Sequence, residues 1–448
     1  MGSDVKIVLT NSDTVFETGK LNIKPSPKEV NRLRTLASKY LEIAQSDDVK
    51  TKKRQWKACQ SLRSERPMLI FETQDIANYI SPSELECEND YLRNTERWFL
   101  HWIKHYTEVQ DDLVFESYFR IPWVVNKTSY GIDIIEKHAK EKESMAYLSE
   151  FPLNDPSDIA KLKQREFTVD RERSQDFANT LNGIFGDILP TYIEGVSMLE
   201  PNSSIGFTHW LGCYTSVLTQ ILFKLLGFES MSFWMYDNPD ELKYVIEYLS
   251  NDELRFLDWI EEQKLTSLNT ADHTVSATGY GYVDDLPQVD KPGVPALLKD
   301  MWGSVTAQET VVLSPASVEQ WIYPYLSKFG KKFGLTSYGC CEPIHDRFDK
   351  IKAILPNLRV VSITAWCNVE KAVELLGKNY VFQRKPNPAF VSNANPDWDS
   401  ARKDMEHTWA CTKDNCHTQF FVRDVYNVNG DNSRPGEWVK MAKKVLGL

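Results

Sequence analysis

The sequence predicts an α/β protein built as a closed (β/α)8 (TIM) barrel, with an N-terminal helical extension and a charged insertion. Three observations carry that expectation. From Arg66 onward, short apolar runs alternate with amphipathic helical segments, the pattern of a parallel sheet covered by helices. The number of such runs favours a closed barrel over an open sheet. No glycine-rich phosphate loop follows any of the predicted strands, which argues against a nucleotide-binding sheet.

Taken in order, residues 1–65 are polar and helix-prone, with Ser26-Pro27-Lys28-Glu29 as a helix start and a basic run from Lys50 to Arg63. They form the helical extension, and 66–448 form the barrel. Arg66 to Glu72 is the first strand, opened by a proline. The helix from Tyr91 to Tyr106 carries His101 and His105 at metal-ligand spacing, but its tryptophans and tyrosines favour a satisfied aromatic face. Leu113 to Phe119 alternates like a strand, and the charged stretch at about 126–174 is the insertion, a solvated face. Pro190 to Val196 is a strand. Trp210 to Phe228 is the most apolar long run, yet His209 precedes it and Lys224 interrupts it, so a buried helix after Thr208 is expected rather than a membrane span.

Asn238-Pro239-Asp240-Glu241 then caps a long helix reaching about Lys264, followed by a short strand, Ser267 to Asn269. The segment Ala277 to Tyr282 is glycine-containing without opening a helix, as a lid or pocket rim would be. Val305 to Leu313 and Phe333 to Tyr338 are strands separated by a helix that starts at Ser314-Pro315. Leu358 to Trp366 is a strand whose helix is capped by Asn368 and stopped by Gly377. Tyr380 to Lys385 and Gln419 to Val425 close the series before a helix from about Pro435. Cys411, Cys416 and His417 fall in or beside a charged link, Arg402 to Asn415, that reads as a surface loop.

Composition narrows the function. A net charge of -11, from 52 Lys and Arg against 63 Asp and Glu, argues against a nucleic-acid partner. Eight cysteines without the dense framework of a secreted domain read as reduced thiols, and Met1 to Lys20 lacks an apolar signal region, so a soluble cytoplasmic protein with a small-molecule substrate is expected. A homodimer is one of the states left open.

The chemistry concentrates in Leu335-Thr336-Ser337-Tyr338-Gly339-Cys340-Cys341-Glu342-Pro343-Ile344-His345. A strand runs into a loop with two thiols, a carboxylate and an imidazole. Pro343 suits the first turn of a helix whose apolar face is Ile344, Phe348, Ile351 and Ile354. Active sites of such barrels lie at the carboxyl ends of the strands. A lone cysteine pair is explained as well by burial as by chemistry, but Tyr338, Glu342 and His345 beside it are more polar groups than a core needs. Tyr338, Cys341, Glu342 and His345, with Glu309 from the preceding strand, are the candidate catalytic groups. Candidate substrate contacts are Asn269, His273, Gln308, Trp366, Lys385 and Asn387. Cys340, Cys341 and His273 are the candidate zinc ligands, thiolate and imidazole being natural zinc donors. Each has a plainer reading: Glu309 receives a backbone N–H, His273 caps a turn, His345 lines a helix face, Lys385 lies at the surface and the tryptophans are core.

The order of landmarks resembles the uroporphyrinogen decarboxylase superfamily over roughly Arg66 to the C-terminus. It rests on Arg66-Pro67, Ser314-Pro315 with Tyr323-Pro324-Tyr325, Val361 to Trp366, and Pro386-Asn387-Pro388. That superfamily holds both decarboxylases and corrinoid-dependent methyltransferases. The departures are informative. Where the decarboxylases carry substrate-clamping arginines after the first strand, this chain has Phe71-Glu72-Thr73-Gln74-Asp75, which repels a polycarboxylate. Where the methyltransferases bind zinc through His-x-Cys, this chain has Tyr338-Gly339-Cys340, and Asn427 to Asn429 occupies the region of their last Cys, so the family's zinc site is not carried over intact.

The resemblance therefore implies a methyltransferase that takes a methyl group from a small methoxylated or methylated compound and hands it to a corrinoid protein, in the manner of anaerobic O-demethylation. The leaving alkoxide or phenoxide then needs zinc or a proton donor to stabilise it. A decarboxylase of a small acid, with Arg384 and Lys385 replacing the absent clamp, is the alternative, and a non-catalytic barrel is a third.

Overall fold

The computed structural model describes residues 5–10, 19–139, 147–196, 198, 211–275 and 279–448. Among the described residues nine strands, each parallel to its partners, carry the fold: β1 (Met68–Phe71), β2 (Phe119–Ile121), β3 (Thr191–Ile193), β4 (Tyr214–Thr215), β5 (Trp302–Val305), β6 (Leu335–Tyr338), β7 (Leu358–Ile363), β8 (Val381–Arg384) and β9 (His417–Val422). Seven form one sheet in the order β1-β9-β8-β7-β6-β5-β4, while β2 and β3 pair only with each other. The expected eight-stranded closed ring is thus replaced, among the described residues, by a seven-stranded sheet and a separate two-stranded pair.

The reason lies at the edge of β1. Instead of a strand, two aspartates preceding β2 take its free N–H groups: Asp112 Oδ2 accepts from Leu69 N at 2.7 Å, and Asp111 Oδ2 from Phe71 N at 2.9 Å. Asp112 is in turn held by Arg66 at 2.6 Å, and Asp111 by His105 at 3.0 Å. Side chains satisfy donors that a ladder would otherwise use, so the edge is closed without β-pairing. The strand expected at Leu113 to Phe119 accordingly forms only at Phe119–Ile121.

The N-terminal helices follow the sequence closely. Helix α1 (Pro27–Ala44) begins at Ser26 with a reciprocal capping box to Glu29, and α2 (Asp47–Gln60) follows. Residues Val5–Thr10, expected to be helical, instead form a strand antiparallel to Ile134–Ala139 of the insertion, which is an antiparallel structure rather than only a solvated charged face. Helix α3 (Asp90–Glu108) buries Phe99 and Ile103, and Thr73 Oγ1 lies 2.9 Å from His101 and 2.7 Å from His105, so these histidines are satisfied without a metal.

Other boundaries moved. Tyr214–Thr215 is a strand within the run expected to be helix, and the helix starts at Leu218; residues 201–210, including Thr208 and His209, lie outside the described residues. Ala277 and Thr278 of the expected lid also lie outside them. Ser267 makes only an isolated bridge to Pro295, and Gln308–Thr310 is a helical turn after β5 rather than strand. The long helix Pro239–Glu262 forms as expected, but without a side-chain cap from Asn238. Pro343 precedes its helix, Phe348–Ile354, by a turn, and Cys411 ends a helix, Trp398–Thr412, instead of sitting in a loop. Among the described residues no helix is long and apolar enough to cross a membrane.

Candidate functional site at the carboxyl end of the sheet

Gly339 ends β6 with φ +95°, and a Cβ there would meet Ser362 Cβ at 3.2 Å, so only glycine makes this turn without strain. The turn places Cys340 and Cys341 at the carboxyl end of the sheet. Glu342, 1% exposed, locks it: Oε1 accepts from Ala307 N at 3.0 Å and Oε2 from Cys340 N at 2.9 Å. The carbonyl of Cys340 accepts from Ser362 Oγ of β7 at 3.1 Å and from Lys385 Nζ, just past β8, at 2.8 Å. Arg423, just past β9, lies 3.4 Å from Glu72 and 3.6 Å from Asp424.

This surrounding separates the two thiols. Their sulfurs are 3.6 Å apart. A hydrogen bond shared with Cys341 lowers the Cys340 thiol below its ordinary range, against the cost of burial and with help from Lys385 and Arg423, while Glu342 pulls the other way; the Cys341 sulfur also lies 3.8 Å from Asp424 Oδ2. Cys341 moves up, because its hydrogen bond to Cys340, burial and the neighbouring sulfur charge all disfavour its anion. Burial raises Glu72 despite Arg423 beside it. Cys340 is half-buried and Cys341 exposed, and Lys385 and Arg423 favour the thiolate at Cys340.

The other expected residues scatter. Tyr338 is 0% exposed and packs in the core beside Tyr323; burial, then Glu342 and Tyr323, raise its hydroxyl well above the phenol range. His345 Nδ1 is 3.3 Å from Cys367 Sγ, not from either loop thiol. Glu309 accepts from Thr219 at 2.6 Å and from Gln308 at 3.1 Å. Asn269 spans the backbone, donating to Gly212 and Trp302 carbonyls and accepting from Trp302 N, each at 2.9 Å. Asn387 caps Ala389, and Trp366 is 66% exposed at the rim. Arg384, half of the expected carboxylate clamp, is tied to Asp404 and the Thr364 carbonyl.

The zinc set fails a geometric test. Cys340, Cys341 and His273 do not come together; among the described residues the gathered His, Cys and carboxylate donors are Glu370, His407 and Cys411, within 4.8 Å of one another. The spacing of His407 and Cys411 on one helix face was the available signal for that surface group.

His273 lies instead in a cavity of about 70 Å³ away from the thiol loop. Tyr40, Trp98, Trp102, Tyr118 and Tyr280 wall it. Phe119 and Ile121 pack toward the helices while Tyr118 and Arg120 face the cavity, the alternation of a strand. Arg120 bonds Asp272 and lies 3.9 Å from Glu194, and His273 Nε2 is 3.5 Å from Glu194. Burial opposes ionisation of both carboxylates, but Arg120 and His273 hold Asp272 and Glu194 below their ordinary range. Sequence reading missed Arg120, Glu194 and Asp272, which stand outside any motif, and Arg423, whose place just after a strand end was a usable signal.

No protein-family model matches the sequence, and no curated protein matches it. Among solved structures the chain is similar to a methyltransferase from Methanosarcina mazei, at 10% identity, covering 88% of this chain and 98% of that one, with a TM-score of 0.45. A likeness at that level carries no functional inference.

Proposed function

We propose that the chain is a methyltransferase that removes a methyl group from a small methylated or methoxylated compound and passes it to a corrinoid protein, with Cys340 as the methyl carrier. The supporting observation is a pair of thiols 3.6 Å apart at the carboxyl end of a parallel sheet, with Lys385 bonded to the Cys340 carbonyl and Arg423 nearby, surroundings that lower the Cys340 thiol. A carrier must be ionised to accept a methyl group and must also leave readily, and a thiolate of low pKa does both.

Cys340 Sγ attacks the methyl carbon, the S–C bond forms, and the bond to the donor oxygen or nitrogen breaks with its electron pair leaving on that atom. Solvent protonates the leaving group at the exposed mouth. S-methyl Cys340 then yields its methyl to the reduced corrinoid of the partner and departs as thiolate, stabilised again by the two cations.

Alkyl transfer fits these surroundings better than acyl transfer. The backbone N–H groups of Cys340 and Ala307, natural oxyanion donors, are already taken by Glu342, and His345 is engaged with Cys367 rather than poised as a base. An in-line displacement at a methyl carbon needs neither. With its donors apart, zinc enters no step.

The test mixes the protein with reduced cobalamin and a panel of methoxylated aromatics and other methylated compounds, following cobalamin absorbance. Donor-dependent consumption lost in Cys340→Ser supports the assignment. Full-rate consumption by Cys340→Ser, or none with any donor, refutes it.

A further inference from the structure

The aromatic cavity around His273 is separate from the thiol loop and takes no part in the methyl-transfer reading. His273 is 3% exposed, and its Nδ1 has no hydrogen-bond partner. Gly212 abuts the ring, where a Cβ would stand 2.8 Å from Cδ2, so the imidazole is held in place. Its Nε2 lies 3.5 Å from Glu194, and in the neutral imidazole a proton on Nε2 leaves Nδ1 as a bare acceptor. A buried acceptor without a donor is costly, and such a group aimed into a cavity marks a place for a ligand N–H or O–H.

Charge chooses between them. The ionisable groups lining the cavity are Arg120, Asp272 and His273, with Glu194, Glu116 and Lys53 just behind; Lys53 bonds Glu116 at 2.8 Å. Three carboxylates stand against two permanent cations, so with a neutral imidazole the site carries a net negative charge and favours a cation. The walls agree: Tyr40 and Trp98 lie 5.2 Å apart, and Trp98 and Trp102 meet edge to face at 6.4 Å, presenting ring surfaces that attract alkylated ammonium groups. The space, about 70 Å³, exceeds what one water requires and is too small for a polycyclic ligand.

We propose that this cavity binds a small protonated amine, its N–H donated to His273 Nδ1, its charge set against Asp272 with Glu194 behind, and its alkyl groups packed on Tyr40, Trp98, Trp102 and Tyr118. The full chain is titrated calorimetrically, and by tryptophan fluorescence, with isopropylammonium chloride, isopropanol, tetramethylammonium chloride and sodium acetate at fixed ionic strength. Isopropylammonium binds at least about tenfold more tightly than the alcohol, its neutral isostere, and tighter than tetramethylammonium, which has no N–H. Trp102→Leu, at the partly exposed wall, weakens it about fivefold. Equal binding of amine and alcohol reduces the site to an apolar hole, preferred acetate makes it an Arg120 anion site, and no saturable signal from any probe removes it; each overturns the proposal. These comparisons on the unmodified chain decide the matter even if Trp102→Leu fails to fold.

Discussion

Lys385 Nζ donates to the main-chain carbonyl of Cys340 at 2.8 Å, and this contact ties the end of β8 to the loop after β6 across the intervening strand. Ser362 of β7 donates to the same oxygen at 3.1 Å, so three adjacent strands fix one peptide group and the sulfur beside it. Because the ammonium is fixed through the backbone, it stays near the thiolate whichever protonation state the sulfur adopts.

Lys385→Met should raise the pH midpoint of Cys340 alkylation toward the ordinary thiol range, because a cation that favours the anion is gone. The rate of iodoacetamide labelling at Cys340, located by peptide mass spectrometry across pH, reads this directly. An unchanged midpoint would show that Lys385 does not set the thiolate.

Glu342→Gln acts in the opposite sense on the sulfur. The Glu342 charge opposes the Cys340 thiolate, so its amide should move the midpoint down. The amide has one acceptor oxygen for two backbone donors, which should cost about 1–2 kcal/mol in denaturant unfolding. A stabilised variant would contradict the role of Glu342 as the lock of the turn.

Asp112→Ala should destabilise the fold by about 3 kcal/mol or more, since Arg66 loses its partner and Leu69 N loses its acceptor at the β1 edge. Equilibrium unfolding checks it, and a loss under about 1 kcal/mol would mean that the edge is satisfied in another way.

Much of the scaffold was legible, because capping and periodicity are local. Ser26, Ser314, Asn368 and Gly377 mark helix ends as their side chains and conformations dictate. The open edge at β1 was not legible: Asp111 and Asp112 replace a strand by side-chain acceptance, an interaction of two segments far apart in sequence. The thiol loop was visible as a cluster, yet which sulfur ionises depends on Lys385 and Arg423, brought in from other strands. Tyr338 and His345 share that loop's sequence but meet Tyr323 and Cys367 instead, since a strand sends alternate residues to opposite faces and the turn at Gly339 redirects the rest. The cavity around His273 joins five separate segments, none of which forms a motif alone.

Glu253, on the long helix Pro239–Glu262, gives a pH signature distinct from the thiols. Burial raises it to about 7, although Ser216 Oγ at 2.9 Å and Val217 N at 2.5 Å donate to it. Its folded value lies above its unfolded one, so its stabilising contribution is complete below about 4.5 and is lost as pH rises through about 7. The loss is on the order of 3 kcal/mol. Glu253→Gln should flatten the stability profile between these values in chemical unfolding, and an unaltered slope would place the titration in another group.

The central claim, that Cys340 carries the methyl group, is tested most directly by peptide mass spectrometry of the protein after incubation with methyl donors in the absence of cobalamin. One added methyl on the Cys340 peptide, removed when reduced cobalamin is then supplied and absent in Cys340→Ser, is the predicted result. Donor-dependent cobalamin methylation with Cys340 never modified, and undiminished in Cys340→Ser, would contradict it.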